Sequence, residues 1–206
     1  MLKFVYFDLG GVIYIDFSKT NKWHELVEEI GISKGKEQEF LHFWDYNQKK
    51  ICTGLDIEDL VPEIINKFGA KFPKNYSLLK DGFVSRFDLN KSLWPVIVEI
   101  NKYCKIGLLT NQYPNMFHAG IKKGLLPNVS WDVIVDSSIV GFQKPDREIF
   151  KYAEKQSGVK GKEILFIDNT FEHIDVAKTF GWQTYLYDSS NPIKSSKDLL
   201  DFFKKN

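Results

Sequence analysis

Five short runs of apolar residues recur along the chain, and each of them ends in polar residues or is followed by a glycine. The apolar positions within a run are nearly continuous, which is typical of strands that are buried on both faces. The runs are FVYFD (4–8), KIGLLTN (105–111), WDVIVDS (131–137), EILFIDN (163–169) and QTYLYD (183–188). This pattern predicts a sheet of parallel strands.

Helical patterns lie between the later runs, with apolar residues recurring every three or four positions. They read SLWPVIVEINKYC, PNMFHAGIKKG, DREIFKYAEKQSG and FEHIDVAKTFG, and the chain ends in a loop and surface helix, NPIKSSKDLLDFFKKN. Regular alternation of strand and helix is typical of a doubly wound sheet. We therefore predict an α/β fold, with a Rossmann-like parallel sheet between two helical layers.

One segment, from about residue 17 to 88, breaks this alternation. It contains only helical stretches, NKWHELVEEIG, KEQEFLHFWDYNQK and DIEDLVPEIINKFG, each closed by Gly or a polar turn. It leaves the sheet after the first strand and returns before the second, which predicts a lid over the strand ends. We predict a core domain of residues 1–15 and 89–206 and an all-helical cap domain of residues 16–88. An independent helical domain is the weaker alternative, because entry and exit both lie beside Asp8.

Composition and charge narrow the possible partners. The 28 basic residues nearly balance the 27 acidic ones, and this net charge of +1 gives no electrostatic reason to expect binding to nucleic acid or to a membrane. The two cysteines lie far apart without CxxC spacing, which indicates reduced thiols and a cytoplasmic protein. We predict a small-molecule partner, and the sequence leaves the oligomeric state open.

The first apolar run ends on a carboxylate, Asp8, in a turn that contains Gly10 and Gly11. In one interpretation Asp8 caps the next element and the glycines make the bend, with no chemistry involved. In the other, Asp8 is a nucleophile at the carboxyl end of a central parallel strand, where open α/β sheets bind their ligands. These residues by themselves do not decide between the two.

Four segments at the ends of alternating strands carry a family resemblance. In order along the chain, FDLGGVI, LLTN, VGFQKPDREIF and FIDNTFEHIDVAKTFG resemble the four motifs of the haloacid dehalogenase (HAD) superfamily. The helical insert stands where type 1 caps occur in that superfamily. The first and third segments look most similar to the sugar-phosphate phosphatases that include glucose-1-phosphate phosphatase. The resemblance implies a Mg²⁺-dependent phosphatase acting on a small phosphorylated metabolite.

The resemblance also implies roles for individual residues. Asp8 would be the nucleophile that forms an aspartyl-phosphate, Thr110 with Asn111 would bind the phosphoryl oxygens, and Lys144 would neutralise the phosphate charge. Taken alone, a Thr-Asn pair is more often a strand-end cap, and a lysine before proline is more often solvated. The motifs in order favour the catalytic interpretation.

A metal site is implied by the same motifs. The ligands would be the Asp8 carboxylate, the Gly10 carbonyl, and Asp168 or Asn169, an all-oxygen set of the kind that Mg²⁺ prefers. Asp168 and Asn169 could instead cap the helix that follows them, and both roles are compatible.

Two positions depart from the usual pattern of the superfamily. Gly10 stands where a second Asp is usual as general acid and base, and losing such a group costs ~10²–10⁴-fold in rate. Gly10→Asp is therefore expected to raise the rate, provided that the local backbone accepts a side chain. Asn169 replaces a usual acidic residue, which predicts weaker Mg²⁺ binding.

His173 is a candidate substitute for the missing general acid and base, and Asp16 and His24 are weaker candidates for the same role.

Two other functions stay open. In a metal-independent 2-haloacid dehalogenase, Asp8 would attack carbon. The missing acid at Gly10 favours it, whereas Asp168 and the lack of an arginine near the lid entrance disfavour it, since Arg86 and Arg147 are the only arginines. A catalytically weak binding or regulatory protein on the same fold is the third possibility, supported by Gly10 and Asn169.

Overall fold

A five-stranded parallel sheet forms the centre of the structure, a computed structural model in which residues 1–205 are described. The strands of the structure are β1 (Phe4–Phe7), β2 (Tyr14–Ile15), β3 (Asp88–Leu89), β4 (Lys105–Thr110), β5 (Val133–Asp136), β6 (Ile164–Asp168) and β7 (Gln183–Leu186). The order in the parallel sheet is β5-β4-β1-β6-β7, and a separate antiparallel pair joins β2 to β3. The predicted α/β class and parallel sheet are confirmed.

Nine α-helices lie within the described residues. They are α1 (Lys22–Glu29), α2 (Glu37–Cys52), α3 (Val61–Phe68), α4 (Trp94–Ile100), α5 (Met116–Lys123), α6 (Ser137–Val140), α7 (Arg147–Ser157), α8 (Phe171–Thr179) and α9 (Pro192–Lys205). None of the helices in residues 1–205 has the length and apolar character needed to cross a lipid bilayer.

Strand β1 contributes side chains to two apolar layers, because successive side chains of a strand point to opposite faces. Val5 and Phe7 pack with apolar residues of α4, α5 and α9, whereas Phe4 and Tyr6 pack with those of α7 and α8. All four of these side chains are fully buried. The central strand therefore lies between two helical layers and is packed on both faces.

The layer formed by α7 and α8 provides a stability test at Phe166. This ring is fully buried and lies edge-on to Phe150 and Trp182. Phe166→Ala should lower the free energy of unfolding by ~3–5 kcal/mol, because it removes apolar contacts and leaves a cavity. Phe171→Ala is the matched control, since that ring is 58% exposed, and we expect a change under ~1 kcal/mol. Denaturant unfolding measures both, and equal losses would contradict this description of the core.

The segment between β2 and β3 is helical, as the sequence predicted. It contains α1, α2 and α3, followed by a π-helical turn over Leu78–Phe83. The chain leaves for it after Ile15 and returns at Asp88, and these two residues pair across the β2–β3 ladder. The division into a core of 1–15 and 89–206 and a cap of 16–88 stays a prediction, and its final residue lies outside the described residues.

Candidate active site

The carboxyl ends of β1, β4 and β6 are adjacent at the same edge of the sheet, so the polar residues that end these strands meet there. Asp8 follows β1, Thr110 ends β4 and Asp168 ends β6, and all three are buried. A cavity of about 470 Å³ opens over this edge toward the helical segment. This is the place where open α/β sheets bind their ligands.

Lys144 lies between two carboxylates at this edge. Its Nζ is 2.9 Å from Asp8 Oδ1 and 2.7 Å from Asp168 Oδ2, and it donates a third hydrogen bond of 2.9 Å to the Leu109 carbonyl oxygen. The side chain has no exposed surface. Burial opposes the ammonium charge, but Asp168 and Asp8 outweigh it and hold the pKa of Lys144 above its usual value. A fixed positive charge therefore adjoins Asp8.

The pKa values of the two carboxyl groups, Asp8 and Asp168, shift in opposite directions. Burial raises the pKa of Asp8 to about 6, although Lys144 opposes the shift. The pKa of Asp168 is lowered to about 2, because Lys144 and His173 together overcome the effect of its burial. Asp8 also accepts a hydrogen bond of 2.8 Å from the Leu9 N–H at Oδ1.

Both oxygens of Asp168 are engaged by protein donors. Oδ2 accepts from Lys144 and contacts His173 Nδ1 at 3.0 Å, and Oδ1 accepts from the Thr170 N–H at 2.8 Å. Asp168 therefore orients Lys144 and His173 and also stabilises the turn into α8. Its predicted role as a metal ligand stays a prediction.

The Asn111 side chain contacts the backbone of Lys144 through both ends of its amide. Asn111 Nδ2 donates to the Lys144 carbonyl oxygen, and the Lys144 N–H donates to Asn111 Oδ1, each at 2.8 Å. This pair of bonds holds the loop before α7 against the end of β4. The amide thus positions the lysine. The predicted phosphate binding by Asn111 stays a prediction.

The Thr110 hydroxyl lies in a small polar network under the cavity. Its Oγ1 accepts from Gln112 Nε2 at 3.2 Å, and the same amide donates to the Tyr14 hydroxyl at 3.1 Å. Thr110 itself is fully buried and does not line the cavity, so its predicted role in phosphate binding stays a prediction. Gln112 and Tyr14 line the cavity, and neither belongs to the site residues predicted from the sequence.

The turn after Asp8 is packed closely against two side chains. Gly11 has a φ of +73°, a conformation that favours glycine, and a Cβ there would overlap the Asn169 amide. At Gly10 a Cβ would lie only 2.5 Å from Asp16 Oδ2. The two glycines therefore admit a carboxamide and a carboxylate to the edge of the sheet beside Asp8.

The residues at this edge fit a Mg²⁺ ion. The absence of a Cβ at Gly11 makes the space in which the Asn169 amide lies, and the Gly10 backbone and the Asp8 carboxylate adjoin that space. Carboxylate, amide and carbonyl oxygens are the donors that Mg²⁺ prefers.

Asp16 follows β2 directly, and its carboxylate reaches into the cavity. Oδ1 accepts from the Ser18 N–H at 2.8 Å, which turns Oδ2 toward Gly10. Burial raises the pKa of this carboxyl, although the Ser18 bond and the charge of Lys22 oppose the shift. His24, the other predicted candidate near the entrance, contacts Glu37 and Glu28 and does not line the cavity.

The wall of the cavity opposite the sheet is largely aromatic. Trp23 and Phe83 lie there with their rings 5.6 Å apart, and Phe17 lies 4.9 Å from Phe83. Gln48 and Cys52 from α2 complete this side. The sequence pattern gave no signal that separates these aromatic residues from ordinary core positions.

Comparison with protein families finds one match over most of the chain. The model of the haloacid dehalogenase-like hydrolases matches residues 2–181. Among curated proteins, pig bifunctional epoxide hydrolase 2 is 22% identical over 201 residues, and mouse acyl-CoA dehydrogenase family member 10 is 29% identical over 113 residues. These alignments cover 90% and 53% of this chain, but it spans only 36% and 11% of those proteins.

Solved structures share the fold along nearly the whole chain. A HAD-like family hydrolase from Porphyromonas gingivalis has a TM-score of 0.75 at 24% identity, covering 97% of this chain and 98% of that one. A HAD family enzyme from Bacteroides thetaiotaomicron, in complex with magnesium and inorganic phosphate, scores 0.73 at 21% identity, covering 92% and 96%. L-2-haloacid dehalogenase from Xanthobacter autotrophicus scores 0.62 at 18% identity, covering 89% and 76%.

Proposed function

Since the chain belongs to the haloacid dehalogenase-like hydrolases, we propose that it is a Mg²⁺-dependent phosphatase that hydrolyses a small phosphorylated metabolite through an aspartyl-phosphate on Asp8. The observation that carries this proposal is the Lys144 ammonium, 2.9 Å from Asp8 Oδ1, beside a set of oxygen donors at the same sheet edge. A phosphate dianion needs both positive charge and a nucleophile at one place. The magnesium and phosphate complex of the Bacteroides thetaiotaomicron enzyme supports the same proposal by analogy.

The reaction begins with an attack by Asp8. A carboxylate oxygen forms a bond to phosphorus while the bond from phosphorus to the ester oxygen breaks, which leaves a phosphorylated Asp8 and an alcohol. Lys144 and the Thr110 hydroxyl stabilise the negative charge on the phosphoryl oxygens. Water then attacks phosphorus, releases inorganic phosphate and restores the Asp8 carboxylate.

Asp8, the Gly10 carbonyl and Asn169 would hold the Mg²⁺ ion, with Asp168 beside them. When bound, the ion neutralises charge on the phosphoryl group and on Asp8. Because Asp168 already accepts three hydrogen bonds from Lys144, His173 and Thr170, Asn169 would be the more available ligand of the two.

The dehalogenase is the second candidate, favoured by the lack of a carboxylate at Gly10 and by the fold of the Xanthobacter autotrophicus enzyme. The positions of the two arginines oppose it. Arg86 pairs with Glu29, and Arg147 donates to Thr179 Oγ1, so neither lines the cavity where a carboxylate substrate or a halide would bind.

A panel assay tests the proposal. Phosphate release is measured over phosphorylated metabolites, sugar phosphates first, with Mg²⁺ and with a chelator, and halide release is measured from 2-chloropropionate. We expect phosphate release that requires Mg²⁺. Halide release without metal would support the dehalogenase, and binding of phosphate without turnover would support the regulatory protein.

Asn169→Asp provides a prediction on the metal site. The added carboxylate should lower the Mg²⁺ concentration at half-maximal activity by about tenfold, because one more negative charge adjoins the cation. Turnover at saturating Mg²⁺ should change less. The measurement is a Mg²⁺ titration of activity, or of thermal stability with phosphate present. Asn101→Asp, at the exposed end of α4, is the control that should leave the midpoint unchanged, and an unchanged midpoint for Asn169→Asp would exclude Asn169 as a ligand.

A further inference from the structure

The proposed phosphatase reaction leaves one requirement unmet by the residues described so far. When the ester bond breaks, an alkoxide leaving group needs a proton, and the attacking water must later give one up. Gly10, two residues after Asp8, has no side chain to transfer it. A general acid and base must therefore come from elsewhere in the cavity.

Few groups in the cavity suit this role. Among the described residues that line it, two have carboxylates, Asp8 and Asp16, and Asp8 is the nucleophile. Lys144 is fully buried and bonded to two carboxylates and a carbonyl. His173 lies on α8, the helix that follows β6, and its Nδ1 is already bonded to Asp168, so this nitrogen is not free to exchange a proton with a substrate.

Asp16 occupies the space that a side chain at Gly10 would take. Its Oδ2 is 2.5 Å from the position of a Gly10 Cβ, and its Oδ1 is tied to the Ser18 N–H. The carboxylate comes from the strand that leads toward the helical segment, so it approaches the site from the side of the cavity and not from the sheet. That is the side on which the leaving group of an ester bound to Asp8 would lie.

We infer that Asp16 is the catalytic acid and base of this phosphatase, replacing a carboxylate at position 10 from six residues further along the chain. Asp16 gives its proton to the ester oxygen as the bond to phosphorus breaks, and the alcohol leaves neutral. The resulting carboxylate takes a proton from the water that attacks the phosphorylated Asp8. Each cycle returns Asp16 to its protonated state, so protons balance.

Leaving-group dependence distinguishes this role from a structural one. Nitrophenolate leaves as an anion and needs no acid, whereas glycerol does. In rapid-mixing experiments with p-nitrophenyl phosphate, Asp16→Asn should release one equivalent of nitrophenolate at close to the rate of the unsubstituted protein, followed by turnover slowed ~10²–10⁴-fold. With glycerol phosphate no initial burst should occur. Asp59→Asn, an exposed residue of the helical segment, is the matched control and should behave as the unsubstituted protein.

Moving the carboxylate is a second test, and for Gly10→Asp it leads to a different expectation from the one that the sequence alone gives. Gly10→Asp alone should not raise the rate, because the new Cβ meets Asp16 Oδ2. In the double variant Gly10→Asp with Asp16→Ala, the space is free and a carboxylate returns to the same place. The turnover of that variant should be at least about tenfold higher than the turnover of Asp16→Ala alone.

The outcomes separate this inference from the proposed function. If the unsubstituted protein hydrolyses both esters but Asp16→Asn slows both first steps equally, or leaves both unchanged, the assignment of Asp16 is overturned and the phosphatase stands. If the unsubstituted protein releases phosphate from neither ester nor from the metabolite panel, both are overturned.

Discussion

Asp8→Asn is expected to reduce phosphate release by on the order of 10⁵-fold, to the limit of detection. An amide oxygen is a poor nucleophile, so the bond to phosphorus cannot form, and the substitution also removes a negative charge from the predicted metal site. The measurement is steady-state phosphate release at saturating Mg²⁺ with the best substrate of the panel.

The fold should survive this substitution. Asn can keep the acceptor atom for the Leu9 N–H and Lys144, and burial already disfavours the charged form of Asp8, as its pKa of about 6 indicates. We therefore expect a thermal midpoint equal to or above that of the unsubstituted protein in the absence of Mg²⁺.

Asp136→Asn is the matched control for Asp8→Asn. Asp136 ends the edge strand β5, caps α6 through the Ser138 N–H at 2.9 Å and does not line the cavity. Its substitution should preserve turnover. Undiminished phosphate release by Asp8→Asn would show that Asp8 is not the nucleophile.

Lys144→Met should produce the second-largest loss, of about 10²–10³-fold in turnover, because it removes a fixed charge at the position where the transition state gains negative charge. It should also cost stability. Asp8 and Asp168 would stay buried side by side without their shared partner, and breaking such a pair costs ~3–5 kcal/mol. Lys151→Met, on an exposed lysine of α7, is the control for both measurements.

The stability lost in Lys144→Met should depend on pH. In the unsubstituted protein the pKa of Asp168 is lowered to about 2, so its stabilising contribution is complete at neutral pH and is lost as the pH falls toward 2. Without Lys144 the carboxyl should take up a proton at higher pH. The stability gap between the two proteins should therefore narrow on acidification, as followed by urea unfolding between pH 7 and pH 4.

A double variant separates the two consequences of losing Lys144. Lys144→Met with Asp168→Asn removes one buried charge of each sign and should recover most of the lost stability, while turnover stays low. Recovery of turnover in the double variant would mean that Lys144 acts on the fold alone.

The sheet was predictable because its signal is local. Runs such as FVYFD and EILFIDN keep the same apolar character over four or five positions, and their polar last residues are the ones that meet at the sheet edge. By contrast, β2 and β3 have only two residues each, and the 72 residues 16–87, most of them helical, lie between the two strands, so no local pattern distinguishes them.

The site was predictable only as a set of strand-end residues. Asp8, Thr110 and Asp168 could be predicted because they stand at the ends of apolar runs. The two hydrogen bonds between the Asn111 side chain and the Lys144 backbone depend on how two distant loops pack. The approach of Asp16 to Gly10 depends on the Ser18 N–H, which turns one carboxylate oxygen. Side-chain directions of this kind are set by tertiary contacts and leave no periodic trace in the sequence.

The close approach of Asp16 to Gly10 also has an evolutionary consequence. A side chain at position 10 would displace the Asp16 carboxylate from its place, and a chain that loses Asp16 first has no carboxylate there, so the two positions should be epistatic. We therefore expect neither substitution alone to be as favourable as the two together. Relatives of this chain should divide into two lineages, one with an acidic residue at the position of Gly10 and a small one at that of Asp16, and one with the reverse, with few sequences between them.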